Sequence, residues 1–360
     1  MERQSRRHFL QASAVASAGV IAGCSTIDAG AAGSRTILGV YTGESPLSQL
    51  KPFEQWLGLQ HAVVVCFVDA TRPPAKLRTF FDDVLTDLWN SGYIPMVTWE
   101  ASSQSDSEVS RNILETINSG GYDDVIDRWA RDLARWLQVG DRRLYFRPLP
   151  EMNRAGTPWS TATPRDYRIA WHRLHRRVAN EGIDEDRLQW VWNPNATDVE
   201  SPPAEAYYPG DRFVDWVGID GYNFGDAKPW STWQSPDSVF TPMLDRLRDH
   251  IDKPVMVPEF GSTSRRQGAF RPAAKAQWIQ SAFEYFRRQD VRLACWFNTD
   301  KETDWAVFGG VRGTDTFQGG GERYHTYSAY RQIATGHGVQ GAKSASAGVL
   351  SDDAFVGSGQ

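Results

Sequence analysis

The sequence predicts an α/β protein built as a single (β/α)8 TIM barrel. From Thr36 onward, short runs of β-branched and aromatic residues alternate with longer amphipathic stretches, which is the pattern of repeated βα units. Eight such runs fit into about 300 residues, each followed by a segment able to cover it. No glycine-rich phosphate turn follows the first run, where Tyr41-Thr42-Gly43-Glu44 stands in place of GxGxxG. That counts against the alternative, a doubly wound open sheet.

The strands are expected near 37–41, 63–68, 94–99, 143–149, 188–193, 214–222, 254–259 and 292–298. Between them, apolar positions recur three and four apart, as in Val125, Trp129, Leu133, Trp136 and Leu137, and predict helices near 46–57, 75–91, 122–138, 164–181, 236–250 and 271–288. The fifth connection, 194–213, is Pro-rich and leaves room only for a short helix around 203–208. Trp129, Trp136, Trp171 and Trp278 fall at helical spacing among apolar neighbours and belong to the barrel-to-helix core. Cys66 and Cys295 lie in strand-like runs and read as inert core residues, with a bridge between them left open because spacing alone does not fix its geometry. The folded domain is expected to span 36–335, and 336–360, rich in Gly, Ala and Ser, reads as a disordered tail.

The first 23 residues read as an export signal. Ser5-Arg6-Arg7-His8-Phe9-Leu10 and the Ala/Ser/Val/Gly run behind it resemble a twin-arginine signal peptide. Ile21-Ala22-Gly23-Cys24 resembles a lipobox, which makes Cys24 the expected lipid attachment; an ordinary signal peptide with a chance cysteine is the alternative. Residues 24–35 then form a small-residue tether. The expected location is the extracellular face of the cell membrane as a lipoprotein, or the medium.

Composition excludes several classes of function. Lys and Arg number 39 against 44 Asp and Glu, a formal charge of −5, so no field of one sign is available for nucleic acid or for an anionic membrane surface. Membrane contact is expected only through the N-terminal lipid, because no window of about 20 apolar residues follows the first thirty. The 3 cysteines, Cys24, Cys66 and Cys295, show neither CxxC nor zinc spacing with histidine, so no structural metal and no cofactor are expected. His172 and His175 are three apart on a helix, but Arg168, Arg173, Arg176 and Arg177 around them mark a solvated face. The 15 Trp, 12 Tyr and 17 Phe suit a large core and equally a surface on which sugar rings stack. A monomer with a polysaccharide as its partner is the expectation.

In a barrel, chemistry gathers where strands end at the C-terminal face. Those ends supply Trp99 and Glu100, Glu151 and Asn153, Trp192 and Asn193, Asp220, Tyr222 and Asn223, Glu259, and Trp296 and Asn298. Carboxylates, amides, a phenol and indoles converge without a histidine or a serine–base pair. Cleaving a glycosidic bond with retention needs a proton donor for the leaving oxygen and a second carboxylate to attack the anomeric carbon. Glu151 and Glu259, ending the fourth and seventh runs, are the natural pair. Arg147 either meets a surface acid or, by its spacing from Glu151, points into the mouth beside the nucleophile.

Arg147-Pro148-Leu149-Pro150-Glu151-Met152-Asn153 and Lys253-Pro254-Val255-Met256-Val257-Pro258-Glu259-Phe260-Gly261 resemble the acid/base and nucleophile motifs of glycoside hydrolase family 26, clan A retaining enzymes best known as β-mannanases. Ser119-Gly120-Gly121-Tyr122-Asp123-Asp124, Trp190-Val191-Trp192-Asn193-Pro194-Asn195, Tyr207-Tyr208-Pro209-Gly210-Asp211, Val214-Asp215-Trp216-Val217-Gly218-Ile219-Asp220-Gly221-Tyr222-Asn223 and Trp296-Phe297-Asn298 are similar as well, in the family's order over roughly residues 36–310. The resemblance implies a retaining endo-β-glycosidase with Glu151 as acid/base, Glu259 as nucleophile, Tyr222 touching the nucleophile and Trp296 as floor of the attacked sugar's subsite. β-1,4-mannan is the leading substrate it implies, with a β-glucan as the alternative. Arg147, Asn153, Asn193, Asn223, Trp99 and Trp159 join Tyr222 and Trp296 as expected substrate contacts, and Trp230, Trp233 and Trp305 are further loop indoles. Two positions depart from the family. Pro150 replaces the usual histidine before the acid/base, and Asn153-Arg154 replaces Asn-Gly after it. Proline offers no side-chain donor and no N–H, so substrate preference is open, and a glycan-binding barrel without turnover is the rival from another class.

Overall fold

The computed structural model describes residues 35–101, 113–160, 162–184, 186–336, 338–342 and 350–358. The export signal, the tether and Cys24 lie outside them. Eight strands form the wall: β1 (Thr36–Tyr41), β2 (Val63–Asp69), β3 (Ile94–Glu100), β4 (Leu144–Pro148), β5 (Leu188–Trp192), β6 (Trp216–Gly218), β7 (Val255–Ser262) and β8 (Val291–Phe297). Neighbours pair in parallel in chain order, and β8 pairs with β7 on one side and β1 on the other, so the sheet closes. The expected (β/α)8 barrel is the observed fold.

Both faces of this wall are covered, which is why runs such as Val63-Val64-Val65 are continuously apolar rather than alternating. Even so, period two decides what each residue meets. Val63, Val65, Ile94, Met96, Tyr145, Val191, Trp216, Met256, Leu293 and Cys295 fill the barrel. Val64, Cys66, Val97, Trp99, Phe146, Trp190, Trp192, Ala294 and Trp296 face the helices. Cys66 and Cys295 are therefore on opposite faces of the wall, both buried and both free thiols.

The covering helices include Pro46–Leu57, Asp123–Leu137, Pro164–Ala179, Pro236–Arg248 and Pro272–Arg288. Proline at the first turn of several suits a position whose N–H has no intrahelical partner. Thr163 and Ser235 cap two of them by accepting from Asp166 N and Ser238 N. The expected helix 75–91 is one rod whose middle, Phe80–Leu85, winds as a π-turn between Pro74–Thr79 and Thr86–Asn90. His172 and His175 pack on Phe213 rather than standing in solvent, and burial pushes His175 down to about 4. Arg173 and Arg177 on the same helix pair with Asp123 and Asp127 of the helix beside it.

Three features differ from the sequence expectation. The sixth strand is broken: after Gly218 the chain resumes pairing with β7 at Gly221–Asn223. At the break, Asp220 N turns to Pro194 O (3.1 Å), which swings its carboxylate inward. Asp315–Gly319 and Glu322–Thr326 form an antiparallel hairpin across Gly320 and Gly321, both with positive φ. The third is in the tail, whose described residues 338–342 and 350–358 belong to the fold. Val339–Gln340 pairs with β1, and a helical turn, Asp352–Val356, capped by Ser351, puts a fully buried Phe355 under the barrel. Phe355 packs on Tyr145 at 4.8 Å and accepts its hydroxyl through its carbonyl at 3.0 Å, closing the end opposite the strand C-termini.

Candidate active site

The mouth of the barrel is organised around Arg147. The inward parity of β4 continues from Tyr145 to Arg147, whose side chain is completely buried. Its guanidinium donates to Thr98 Oγ1 (2.8 Å from Nε), Asn193 Oδ1 (3.0 Å), both oxygens of Asp220 (3.1 and 3.2 Å) and Glu259 Oε1. This is the second of the two placements left open by the sequence. Burial alone would lower the arginine's affinity for its proton, but Glu259 and Asp220 outweigh that and raise it. Asp220 itself is driven up by burial against the pull of Arg147.

Glu259 reaches this guanidinium through a β-bulge. On β8, Ala294 and Trp296 are two apart, while their partners on β7, Val257 and Phe260, are three apart. The extra residue lets Val257 and Phe260 both face the helices while Pro258 and Glu259 are gathered between them on the mouth side. Proline inside a closed sheet is tolerated at such a bulge because no ladder donor is needed there. A Cβ on Gly218, across the sheet, would stand 2.8 Å from Pro258 Cγ and 2.9 Å from the Asn193 amide carbon, so only glycine leaves room for both. Tyr222 OH donates to Glu259 Oε2 at 2.9 Å. Burial and then the charge of Glu259 raise the phenol well above its usual range, so it remains a donor.

Glu151 follows β4 in a left-handed backbone conformation (φ 55°), as does Leu149 (φ 50°). Its N–H donates to Asn193 O at 2.7 Å. Its carboxylate accepts from Asn195 Nδ2 (2.7 Å) and from Arg154 Nη1 (2.9 Å), a half-exposed arginine. The two glutamates thus have different settings. Glu259 is held by a buried cation and a phenol, whereas Glu151 is held at the rim by an amide and a solvent-facing arginine.

Aromatic rings line the rest of the mouth. Tyr41 of β1 meets Phe67 of β2 at 5.0 Å and Phe297 of β8 at 4.8 Å, and Phe297 meets Tyr222 at 6.0 Å. The row continues through Phe224 to Trp230, which is 72% exposed.

The model of glycosyl hydrolase family 26 matches residues 83–245, a stretch that contains Arg147, Glu151 and Tyr222. Over 281 residues, 75% of this chain, the sequence is 30% identical to endoglucanase H of Acetivibrio thermocellus. The family to which the chain is matched is glycosyl hydrolase family 26. It is also 28% identical over 198 residues, 52% of its length, to mannan endo-1,4-beta-mannosidase A and B of Caldalkalibacillus mannanilyticus. The chain spans 28% of the first relative's length and 35% of the second's. Among solved structures it is similar to the catalytic domain of a family 26 endo-beta-1,4-mannanase from Bacillus sp. JAMB-750, with a TM-score of 0.62 at 15% identity over 85% of this chain and 87% of that one, a likeness of fold.

On this barrel, Arg147 and Tyr222 meet at Glu259 as the sequence led one to expect. Six other expected sugar contacts are placed where no sugar reaches them, each 0–2% exposed. Trp99 and Trp296 face the helices; Trp296 donates its indole N–H to Trp305 O and packs edge-on to Phe260. Trp159 donates to Pro150 O at 2.6 Å, under the turn that carries Glu151. Asn193 accepts from Arg147 and donates to Pro194 O. Asn153 donates to Asn195 O and Asp198 and accepts from Asn195 N. Asn223 donates to Ser262 and accepts from Gly225 N and Gln234 N. These six build the site from behind. The rings that do open to the mouth, Tyr41, Phe67 and Phe297, are half-buried, and alternation along their strands was the signal that points to them. Trp305 is buried against Tyr222 and Phe224, leaving Trp230 and Trp233 as the loop indoles with exposed faces.

Proposed function

We propose that this chain is a retaining endo-β-glycosidase that hydrolyses a β-linked polysaccharide by double displacement. The observation that carries the reading is the clamp on Glu259, where Arg147 and Tyr222 take one carboxylate oxygen each. Such a carboxylate is faced by a cation and aimed, as a nucleophile must be. Glu151, on a rim turn with a displaceable partner, suits proton traffic. In the first step Glu259 bonds to the anomeric carbon while Glu151 gives its proton to the departing glycosidic oxygen. In the second, Glu151 takes a proton from water, whose oxygen attacks the same carbon and releases Glu259. Glu259→Ala should abolish hydrolysis, and azide added to that variant should yield a glycosyl azide of inverted configuration. Full activity in Glu259→Ala sinks the assignment.

As substrate, a β-glucan is favoured by Pro150, which withholds the side-chain donor next to the acid, and by the similarity to endoglucanase H over most of this chain. β-1,4-Mannan is the second reading, supported by the mannosidase relative. Reducing ends released from mannan, mixed-linkage glucan and xylan by the purified protein decide between them. Binding to a polymer with no release from any of them would favour the non-catalytic glycan-binding barrel. Export through residues 1–23 and lipidation of Cys24 complete the proposal, and incorporation of labelled fatty acid that is lost in Cys24→Ser tests them.

A further inference from the structure

Most polar side chains at the mouth are spent on the protein itself. Arg147 has its donors on Thr98, Asn193, Asp220 and Glu259, and Asn153, Asn193 and Asn223 are saturated from behind. Among the described carboxylates there, Glu100 is an exception. It is the last residue of β3, and the inward parity of Ile94, Met96 and Thr98 carries it to the mouth. Its carboxylate has no hydrogen bond or ion pair among the described residues. Opposite it on β2, in register, stands Asp69, whose Oδ1 is already taken by the N–H and hydroxyl of Thr71. The charges that act on Glu100 are Asp69 and Glu259, which repel its ionised form, and Arg147 and Lys301, which favour it. Burial, with Asp69 and Glu259 behind it, pushes the group up to about 7, as fits a half-buried acid short of donors.

We propose that Glu100 is a specificity-determining residue that accepts hydrogen bonds from free hydroxyls of the sugar ring attacked by Glu259. The proposal rests on the reading of Glu259 as nucleophile. The reacting ring must lie against Glu259 with its leaving oxygen at Glu151. Thr98, two residues before Glu100 on the same inward face, accepts from the Arg147 guanidinium that also holds Glu259, which puts Glu100 on the ring's side of the cleft rather than the leaving group's. In its ionised form, above about pH 7, the carboxylate there takes two hydroxyl hydrogens, which are charge-assisted bonds. It also repels an acidic sugar, so the class it selects is a neutral glycan. Truncating such an acceptor leaves sugar hydroxyls unpaired in a half-buried site, and discrimination of this kind is steep.

The test reads binding rather than turnover. In the Glu259→Gln protein, affinities for cellotetraose, a mixed-linkage glucan tetraose and mannotetraose are measured by calorimetry, with Glu151→Gln as a second inactive background. Adding Glu100→Ala should raise Kd roughly ten-fold or more for whichever neutral tetraose the parent binds, on the scale of hydrogen bonds to a charged group. Glu100→Gln, which keeps one acceptor, should fall between them. Thermal stability should not fall in either variant, because the carboxylate gives up no internal bond. A Kd within twofold of the parent in Glu100→Ala overturns the proposal, as does a parent that binds none of the three. Absence of hydrolysis by the wild-type protein is a separate result and counts against the proposed function itself.

Discussion

Replacing Arg147 by leucine removes the fully buried cation bonded to both Glu259 and Asp220, and Asp220 is itself only 1% exposed. Without the guanidinium, Asp220 must either stay ionised with no counter-charge or take up a proton, and breaking a buried pair from one side costs about 3–5 kcal/mol. For a barrel of this size that corresponds to a loss of roughly 6–10 °C in Tm, at about 2 °C per kcal/mol. Adding Asp220→Asn removes the orphaned charge and should return most of the lost stability, since the two side chains are in direct contact and their effects do not add. Activity should not return with it. Glu259 still lacks its cation, so kcat/KM in both the single and the double variant should remain below the wild type by about a hundred-fold or more. Differential scanning calorimetry and initial rates on the preferred polymer measure the two quantities independently. An Arg147→Leu protein within about 1 kcal/mol of the wild type, or a double variant that regains no stability, would refute the account of Arg147 as a buried charge clamp.

Three further outcomes are expected. Tyr222→Phe removes the hydroxyl that donates to Glu259 Oε2 and should lower kcat roughly ten- to hundred-fold with KM little changed, and a change confined to KM would place Tyr222 on the substrate instead. Phe355→Ala empties the bottom of the barrel and should cost about 3–5 kcal/mol in denaturant unfolding, with kcat at 25 °C retained because the cavity lies at the far end from the mouth. Glu100 rises from 4.5 to about 7, so between those values the folded chain holds a proton that the unfolded chain has released, and stability falls as pH rises through that window. Glu100→Gln should abolish this fall, worth up to about 3 kcal/mol, and a variant whose stability still falls as the wild type's does between pH 4.5 and 7.5 contradicts it.

The strand positions and the two glutamates were legible because each depends on local pattern. Apolar runs end in single polar residues, and a closed parallel barrel sends those ends to one face. What could not be read was which way neighbouring side chains turn. Trp296 and Phe297 are adjacent, and the family resemblance made the indole the sugar platform, yet Leu293 and Cys295 fix the inward parity and send Phe297 to the mouth. The same one-residue alternation separates buried Trp99 from Glu100. At Glu259 parity fails for a different reason, since the bulge at Pro258 and Glu259 shows only when β7 is laid against β8. The tail was masked by composition: its Gly, Ala and Ser content suggested disorder, while Ser351 as N-cap, Asp352 and Asp353 in the first turn and Gly357 as a left-handed C-cap form a complete short helix around Phe355. The hairpin had its signal too, in the glycines at 319–321 between alternating residues.

The turn that presents Glu151 connects these misplacements to specificity. Leu149 and Glu151 both take positive φ with Pro150 between them, and non-glycine residues hold such angles at a cost of order 1–3 kcal/mol each unless their surroundings impose them. Here the surroundings do: Leu149 N donates to Trp99 O (3.1 Å), Tyr167 OH to Leu149 O (3.1 Å), Trp159 Nε1 to Pro150 O (2.6 Å) and Glu151 N to Asn193 O (2.7 Å). Trp99, Trp159 and Asn193, expected to meet sugar, instead hold the turn that carries Glu151. Proline in the centre has no N–H to satisfy in this closed space and restricts the unfolded chain, so it favours the strained turn from both sides of the folding equilibrium. The same residue gives the sugar no side-chain donor. If Glu151 is the acid as proposed, a site with proline beside it must draw its selectivity from other groups facing the ring, and on the opposite wall Glu100 has no hydrogen bond or ion pair among the described residues.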